Sequence, residues 1–188
     1  MPHLQGLIDA VNRKNYVVLD TETTGLGNTD EICEIGLLDA TGEVLLDTFI
    51  RPSKHITKEA TDIHGITDQT VMKAPMLNAV MPLIYGWVHG KDLIIYNSAS
   101  DLRLLTQSMA RTGDPKLWIE ADLHYKTVSC AMLAYAEYVR VWSDHHNGYR
   151  WWSLVQACND LHIPIVDEHS AIGDCKLTRA VCENLAQL

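Results

Sequence analysis

The feature that most constrains how this chain can fold is a set of three acidic residues placed where predicted strands give way to helices. Residues 16–20 form a short β-branched run that predicts a strand, and the run ends on Asp20. Asp101 follows a second apolar run, residues 92–96, at the start of a predicted helix. Asp174 lies early in the last predicted helix. Apolar strands that alternate with helices in this way are typical of α/β proteins.

The rest of the chain predicts a mixed sheet. Residues 31–39 and 43–50 are strand-like, and the turn Ala40-Thr41-Gly42 between them indicates an antiparallel hairpin. A fifth strand is predicted near residues 123–127, and residues 143–148 are predicted to form a loop. Helices are predicted at residues 1–15 (short and amphipathic), 57–63, 75–88, 101–111, 131–142, 151–161 and 173–186. This order predicts a single α/β domain over residues 1–188, with a mixed sheet flanked by helices.

Composition and segment lengths indicate a soluble, cytoplasmic type of protein. The chain has 188 residues, of which 47% are hydrophobic and 21% charged, the balance of a globular chain with a core. The longest mostly apolar stretch, residues 79–88, is too short to span a bilayer, and residues 1–15 lack the apolar core of a signal peptide. The five cysteines include no Cys-x-x-Cys pair, so we expect free buried thiols in a reducing compartment rather than a zinc site.

The net charge of −9 argues at first against a nucleic-acid partner. The objection weakens if several of the acids bind metal ions, because two divalent cations would neutralise four carboxylates. The acidity that remains predicts weak non-specific binding through few phosphate contacts. Such a charge balance suits an enzyme that holds only a few terminal nucleotides.

The first acidic cluster is Asp20-Thr21-Glu22-Thr23-Thr24-Gly25-Leu26. Asp20 and Glu22 are two residues apart, so both side chains can point to one side of the chain. Two carboxylates in that position repel each other unless a cation holds them. Gly25 permits the main chain to approach a ligand closely. An isolated Asp-x-Glu pair, however, is more often a solvated turn after a strand.

The other two clusters are ambiguous when each is taken alone. Asp101 closes the run Tyr96-Asn97-Ser98-Ala99-Ser100-Asp101, where capping and the helix dipole also favour an acid. His169 precedes Asp174 by five residues, and an isolated histidine in such a loop is more often a surface residue. Asp174 alone is compatible with an ordinary acid in the first turn of a helix.

The three clusters together indicate a metal site. Their ligands are hard oxygens without thiolates, which suit Mg²⁺ or Mn²⁺ rather than zinc. Two such ions about 4 Å apart can stabilise the attacking and leaving oxygens of a phosphoryl transfer. A histidine side chain, whose pKa is ordinarily about 6.5, can take a proton from the attacking water near neutral pH.

On these residues the chain resembles the DnaQ-like, or DEDDh, family of 3′–5′ exonucleases. The segment Ile63-His64-Gly65-Ile66-Thr67 is also similar to a substrate-side loop that is common in the family. The resemblance runs from about residue 16 to the end of the chain. The three motifs, in family order, are residues 20–26, the Asn-x-x-x-Asp pattern at Asn97 and Asp101, and the His-x-Ala-x-x-Asp pattern at His169, Ala171 and Asp174.

The resemblance implies a ribonuclease H-like fold with a five-stranded mixed sheet flanked by helices. It also implies that His169 is the general base, that two divalent ions, Mg²⁺ or Mn²⁺, are the cofactors, and that nucleoside 5′-monophosphates are the products. One position departs from the family pattern, because Ser100 stands where a large apolar residue is usual before the second-motif acid. The implied metal ligands are Asp20, Glu22, Asp101 and Asp174. The residues we expect to contact substrate are Thr23, Gly25, Leu26, His64 and Asn97.

A second group of residues surrounds the predicted loop at residues 143–148. Stacking on aromatic rings is a common way to hold single strands, but core packing is favoured for each of these aromatic residues taken alone. The flanking arginines are compatible with phosphate contacts, although solvated surface charge is the simpler interpretation, and the two histidines lack partners for a metal site. The residues are Arg140, Trp142, His145, His146, Tyr149, Arg150, Trp151 and Trp152.

The function predicted from the sequence is a 3′–5′ exonuclease that acts on single-stranded or frayed ends, with DNA favoured over RNA. Two alternatives stay open. Within enzymes, the chain is compatible with an exoribonuclease or a nuclease for very short oligonucleotides. In a different class, it is compatible with a non-catalytic accessory subunit that binds nucleic acid or a polymerase, although no substitution at the five key positions supports that interpretation. A homodimer is possible, and nothing in the sequence supports a polymerase partner.

Overall fold

A computed structural model describes residues 1–111 and 124–187 of the chain. Its centre is a five-stranded sheet with the order β3-β2-β1-β4-β5. β1, β2 and β3 are antiparallel neighbours, whereas β4 and β5 run parallel to β1, which confirms the predicted mixed sheet. The strands are β1 (Tyr16–Thr23), β2 (Ile32–Asp39), β3 (Val44–Phe49), β4 (Asp92–Ile95) and β5 (Thr127–Cys130).

Helices cover both faces of the sheet, as predicted. They are α1 (Pro2–Arg13), α2 (Lys58–His64), α3 (Asp68–Val71), α4 (Leu77–Val88), α5 (Ser98–Arg111), α6 (Ala131–Val139), α7 (Leu154–Asp160) and α8 (Ala171–Ala186). A small hairpin, β6 (Trp142–Ser143) and β7 (Gly148–Tyr149), lies outside the main sheet.

The central strand β1 divides the core in two because its side chains alternate between the faces of the sheet. Tyr16 and Val18 belong to a cluster with buried residues of α1, α6, α7 and α8. Val17 and Leu19 belong to a second cluster with buried residues of α4 and α5. Functional groups carried by helices on opposite faces can therefore meet at the end of β1.

Three boundaries near the acidic residues differ from the sequence prediction. β1 does not end on Asp20 but continues to Thr23, because residues 20–23 remain paired with β2. α5 begins at Ser98 rather than Asp101, which places Asp101 in its first turn. α8 begins at Ala171 rather than Gly173.

Other boundaries differ in the second half of the chain. The fifth strand covers Thr127–Cys130 rather than residues 123–127, since its pairing follows β4; residue 123 lies outside the described residues. α6 ends at Val139 because Arg140 adopts a left-handed conformation with φ 60°. The predicted loop at residues 143–148 is the turn of the β6–β7 hairpin, with its first and last residues in the strands.

Two further expectations concern the cysteines and the membrane. All five cysteines are buried free thiols, as expected. In the part of the chain that the structure describes, no helix combines the length and apolar character needed to cross a membrane.

Candidate active site

A single cleft of about 540 Å³ collects the residues that the sequence singles out. The cleft lies where β1 and β4 end and where α5 and α8 begin. It brings together all five expected catalytic residues and all five expected substrate contacts: Asp20, Glu22, Thr23, Gly25, Leu26, His64, Asn97, Asp101, His169 and Asp174.

β1 supplies two of the acids from one face. Because β1 continues past Asp20, Asp20 and Glu22 lie two residues apart within a regular strand and project to the same side. The strand is held through this segment by pairing with β2, in which Asp20 is opposite Gly36 and Glu22 is opposite Glu34. The spacing of the two carboxylates is therefore fixed by the sheet and not by a loop.

α8 brings the third acid to the same place. The Ser170 side chain caps the helix by accepting a hydrogen bond from the Gly173 N–H at 3.1 Å, and Asp174 lies in the first turn. Carboxylate oxygens of Asp20, Glu22 and Asp174 all lie within 4.8 Å of one another. The three acids form one cluster although they come from opposite ends of the chain.

The close approach of α8 to the sheet depends on Gly36 in β2. A Cβ atom at Gly36 would lie 2.7 Å from the backbone carbonyl carbon of Ala171, closer than such atoms can pack. Any side chain at this position would push the start of α8, and with it Asp174, away from β1.

Glu34 is a functional residue that the sequence analysis missed. Its carboxylate Oε2 accepts a hydrogen bond of 2.8 Å from the backbone N–H of Ala171, the first residue of α8. Glu34 is buried and lies opposite Glu22 in the β1–β2 register. It therefore fixes the position of α8 beside the acids. An acid inside a predicted apolar strand was the available signal, since such residues are rarely buried without a partner.

Asp101 reaches the site from the other face of the sheet. Its Oδ1 accepts a hydrogen bond of 2.7 Å from the Thr21 hydroxyl, and the residue is only 8% exposed. Thr21, between the two acids of β1, points to the α5 side and holds Asp101 in place. The sequence analysis also missed this role of Thr21. Asp101 lies outside the three-carboxylate cluster but lines the same cleft.

Burial raises the pKa of all four carboxyls, and repulsion by neighbouring acids adds to it. Burial is the main cause in each case. The pKa of Asp20 is well above its ordinary value, with further contributions from Asp101 and Asp174. The pKa of Glu22 is raised to about 8, and that of Asp101 to about 6 despite the opposing bond from Thr21. Four carboxyls held in this way resist ionising together unless positive charge is supplied.

The composition and spacing of this cluster fit divalent metal ions. Carboxylate oxygens are the ligands that Mg²⁺ and Mn²⁺ prefer, and no thiolate is part of the cluster. A cation placed among the oxygens would relieve the repulsion that raises the pKa values. The three clustered acids could therefore hold a divalent metal ion.

His169 lines the cleft from an exposed position just before α8. Its backbone has a φ of 63°, in the left-handed region that residues other than glycine rarely adopt. Its backbone N–H donates a hydrogen bond of 3.3 Å to Asp174 Oδ1. The contact ties the conformation of the His169 loop to the third acid, while the imidazole faces the cleft.

His64 has a different environment. The Ile66 N–H donates to His64 Nδ1 at 3.0 Å, so Nε2 carries the proton and donates to the Thr23 carbonyl at 3.0 Å. Both ring nitrogens are thus used within the protein, and burial lowers the pKa of the ring. His64 pins the loop after α2 to the end of β1, and it can offer substrate only the carbon surface of its ring.

The turn after β1 presents an apolar side chain to the cleft. Leu26 is 75% exposed, and Ile63 on α2 is 61% exposed in the same cleft. Gly25 has a φ of 154°, and a Cβ there would lie 2.7 Å from Asp30 Oδ2. Thr23 donates to the Gly25 carbonyl at 2.9 Å, so its hydroxyl shapes the turn.

α5 holds that turn from outside. The Arg103 guanidinium donates to the Leu26 carbonyl at 3.2 Å, and the Gln107 amide donates to the carbonyls of Gly27, at 3.1 Å, and Asp30. These bonds connect the helix that carries Asp101 to the turn that carries Leu26. They could not be predicted from sequence patterns, because they join segments far apart along the chain.

The second motif forms the remaining side of the cleft. The Asn97 carbonyl accepts hydrogen bonds from the N–H groups of Ser100 and Asp101, which starts α5. Ser100 itself lines the cleft. The apolar surface expected from a larger residue at this position is provided by Tyr96, Leu104 and Leu154, which also line the cleft.

Comparison with known proteins shows the family. The exonuclease family described as RNase T matches residues 17–182. A protein of Escherichia phage 186 named as the uncharacterized exonuclease CP81 is 37% identical over 172 residues, covering 91% of this chain and 88% of that protein. A PolC-type DNA polymerase III of Thermotoga maritima is 28% identical over 172 residues, covering 88% of this chain but only 11% of the polymerase.

Solved structures show the same fold. Exonuclease X in complex with 5′ overhanging duplex DNA has a TM-score of 0.65 and 22% identity, with 92% of this chain and 91% of that chain covered. E. coli exonuclease I in complex with a dT13 oligonucleotide has a TM-score of 0.66 and 19% identity, with 89% and 40% covered. The α/β fold with its mixed sheet is therefore that of ribonuclease H-like exonucleases, and the chain belongs to the DnaQ-like RNase T family of exonucleases.

Proposed function

We propose that the protein is a 3′–5′ exonuclease that hydrolyses terminal phosphodiesters of single-stranded or frayed DNA. The observation that carries the proposal is the meeting of Asp20, Glu22 and Asp174 within 4.8 Å, in a cleft that also holds Asp101 and His169. Such a site is suited to phosphoryl transfer to water, because it joins a dense set of oxygen ligands to a proton acceptor.

In the proposed reaction, water attacks the phosphorus of the last phosphodiester. The His169 imidazole takes a proton from the water as the new P–O bond forms. The bond from phosphorus to the 3′ oxygen of the preceding nucleotide breaks, and that oxygen takes up a proton. The products are a nucleoside 5′-monophosphate and a strand one nucleotide shorter with a 3′ hydroxyl.

Asp20, Glu22, Asp101 and Asp174 would hold two divalent ions, Mg²⁺ or Mn²⁺. When bound, such ions supply positive charge that stabilises the attacking and leaving oxygens. The carboxylates would also set the orientation of the substrate, since its scissile phosphate must lie beside them to contact the metal ions. Thr21 holds Asp101 in position through its hydrogen bond. Glu34 holds Asp174 in position by bonding the first residue of α8.

The apolar side of the cleft suits the terminal bases. Leu26 and Ile63 expose apolar surface without hydrogen-bonding groups, which would contact bases regardless of their sequence. The volume of the cleft, about 540 Å³, is within the usual range of ligand-binding sites and suits the terminal nucleotides of a strand. The preference for DNA is supported by the solved complexes of exonuclease X with 5′ overhanging duplex DNA and of exonuclease I with a dT13 oligonucleotide.

The test is a matched set of substrates and variants. Single-stranded DNA and RNA of the same sequence, labelled at the 5′ end, are incubated with Mg²⁺, Mn²⁺ or a chelator. Asp20→Ala is compared with Asp47→Ala, which removes an exposed acid of β3 outside the cleft. We expect a metal-dependent ladder that shortens from the 3′ end, lost in Asp20→Ala by about 10³-fold or more and retained in Asp47→Ala.

Two results would contradict the proposal. Equal cleavage by wild type and Asp20→Ala would show that the cluster is not the site or that the activity is a contaminant. A labelled mononucleotide released first from the 5′ end would reverse the direction. Faster degradation of RNA than of DNA would keep the chemistry and change the substrate.

A further inference from the structure

The segment between α6 and α7 exposes an unusual number of aromatic rings. We call residues 140–152 the aromatic hairpin; it consists of β6, β7, their turn and the flanking residues. Trp142 is 59% exposed and Trp151 is 48% exposed. Large aromatic side chains usually bury most of their surface, so two half-exposed tryptophans on one small element indicate a contact surface.

The rings are held in place before any partner arrives. Trp142 packs edge-on against Tyr149, and its indole N–H donates to Asp144 Oδ1 at 2.9 Å. The His146 ring stacks on Trp151 with centroids 4.2 Å apart and an angle of 18°. A flat ligand that stacks on these rings would therefore lose little affinity to side-chain ordering.

The charge of the aromatic hairpin is opposite to that of the chain as a whole. It contains Arg140, Arg150 and one acid, Asp144, in a protein of net charge −9. Arg150 lies over the Trp152 ring, 4.6 Å from its centroid, which keeps its guanidinium beside the aromatic surface. Positive charge interleaved with exposed rings is the combination that binds single-stranded nucleic acid.

The aromatic hairpin is joined to the cleft by a hydrogen bond and lies next to it along the chain. The Tyr96 hydroxyl donates a hydrogen bond of 2.8 Å to the Trp152 carbonyl, and Tyr96 lines the cleft. Leu154, also in the cleft lining, is three residues from Trp151, so their Cα atoms are at most about 11 Å apart. At about 3.4 Å per stacked nucleotide, that distance corresponds to about three nucleotides.

We propose that the aromatic hairpin binds the substrate strand several nucleotides upstream of the scissile bond, by stacking bases on Trp142 and Trp151 with Arg140 and Arg150 near the phosphates. This inference rests on the proposed function. It assigns the single strand a path that leaves the cleft past Tyr96 and Leu154. Long single strands then bind more tightly than dinucleotides, although both offer the same scissile bond.

The experiment compares two substrate lengths and three proteins. The double variant Trp142→Leu/Trp151→Leu keeps apolar bulk and removes the flat rings. The control is Trp87→Leu, which removes a tryptophan that is 42% exposed on α4 and outside the cleft lining. Binding of a labelled single strand of about 20 nucleotides is followed by anisotropy with Ca²⁺ and no turnover, and cleavage of the long strand and of a dinucleotide is measured with Mg²⁺.

We expect the double variant to bind the long strand at least about 5- to 150-fold more weakly, because loss of stacking on one base already produces that range and the variant removes two rings. Its dinucleotide cleavage should stay within about twofold of wild type, and Trp87→Leu should match wild type throughout. Trp142→Phe/Trp151→Phe should recover most of the binding, because phenyl rings also stack.

The outcomes separate this inference from the proposed function. Unchanged binding of the long strand with intact cleavage overturns the inference alone, as does an equal loss on both substrates. Weakened binding in a protein that cleaves nothing supports the inference and overturns the proposed function. Loss of a wild-type dimer in the double variant, with unchanged binding of the strand, would assign the surface to a second copy of the chain instead.

Discussion

The two sides of the cleft differ in how they hold their functional groups. On one side, Asp20 and Glu22 belong to the central strand, and their backbone is paired with β2. On the other side, His169 is exposed on a left-handed residue in a loop, tied to the rest of the site by a backbone hydrogen bond to Asp174. The difference suits the two roles that we propose. Carboxylates that share ions must keep fixed mutual distances, whereas a proton acceptor needs only to reach the water.

The rigid side also carries an electrostatic cost. Burial and repulsion raise the pKa of the acids, so the metal-free protein holds them in an unfavourable environment. The contacts from Glu34 to α8 and from Thr21 to Asp101 keep the carboxylates together despite this repulsion. Ligand geometry is therefore built into the fold before any ion binds, and the loop that carries His169 is the less constrained part.

The largest effect that would sharpen this contrast is expected from His169→Gln. Cleavage should fall by about 10² to 10⁴, the usual loss for a general base. The melting temperature should stay close to that of wild type, because the residue is exposed. Rates are measured across pH together with thermal unfolding. An unchanged rate would remove the residue from the proton-accepting role, and a large drop in melting temperature would show that the loop is structural.

On the rigid side of the cleft, Glu34→Ala should reduce both the stability of the protein and its cleavage rate. It leaves the buried Ala171 N–H without its acceptor, which costs about 1–3 kcal/mol of unfolding free energy. A small displacement of α8 should lower the cleavage rate by about tenfold, since Asp174 moves with it. Glu34→Gln is the control, because its amide oxygen can still accept the bond. Urea unfolding and initial rates are compared, and full stability in Glu34→Ala would show that α8 is positioned by other contacts.

A third prediction concerns pH and metal. Since the pKa of Glu22 is raised from 4.5 to about 8, the folded chain holds a proton over this interval that the unfolded chain has released. The stability from that proton is fully present below the ordinary pKa and is lost as pH rises towards about 8. We expect the metal-free melting temperature to fall over this range less steeply in Glu22→Gln than in wild type.

Metal ions should offset this loss in wild type. Added Mg²⁺ or Mn²⁺ should raise the melting temperature more at about pH 8 than at about pH 5, because ionised carboxylates are the ligands. Samples that contain a chelator and no added metal ion provide the baseline. The same melting temperatures with and without metal at the higher pH would argue that the cluster does not bind these ions.

The smallest effect is expected from Gln107→Ala on the outside of α5. It removes hydrogen bonds to the carbonyls of Gly27 and Asp30, each of a kind that contributes about 0.5–1.5 kcal/mol. The turn that carries Leu26 should become less ordered, so KM should rise about 2- to 10-fold while kcat changes little. Gln5→Ala on α1 is the control, since Gln5 bonds Asp9 far from the cleft. A change in kcat alone would place Gln107 in the support of Asp101 instead.

Sequence patterns predicted the features of this molecule that depend on residues close together along the chain. The strand that leads to Asp20, the helices that carry Asp101 and Asp174, and the mixed sheet could be predicted from apolar periodicity and from acids at element ends. The exact boundaries could not, because β1 continues to Thr23 and the two helices begin at Ser98 and Ala171.

The role of Glu34 could not be predicted from such patterns, because it depends on the β1–β2 register, and that of Thr21 required the packing of α5 on the opposite face. The fifth strand was placed too early, since pairing with β4 and not local propensity sets its position.

The same limit applies to histidines and aromatics. His64 was expected at the substrate on the basis of its motif, but only the structure shows that both of its ring nitrogens are bonded within the chain. Core packing was favoured for each aromatic residue around residues 143–148, yet Trp142 and Trp151 are about half exposed. Exposure is a property of the whole fold, so no window of sequence could decide it.

The packing of α8 against Gly36 has a consequence for the order in which the cluster forms during synthesis of the chain. Asp20, Glu22, Glu34 and Gly36 are all synthesised early, but α8, the helix that completes the cluster, comes after all the other described elements. A chain still being translated before Asp174 therefore holds only part of the carboxylate cluster. The cluster forms only after α8 has been synthesised and has packed against β2, so we expect a chain shortened before α8 not to bind metal ions at this site.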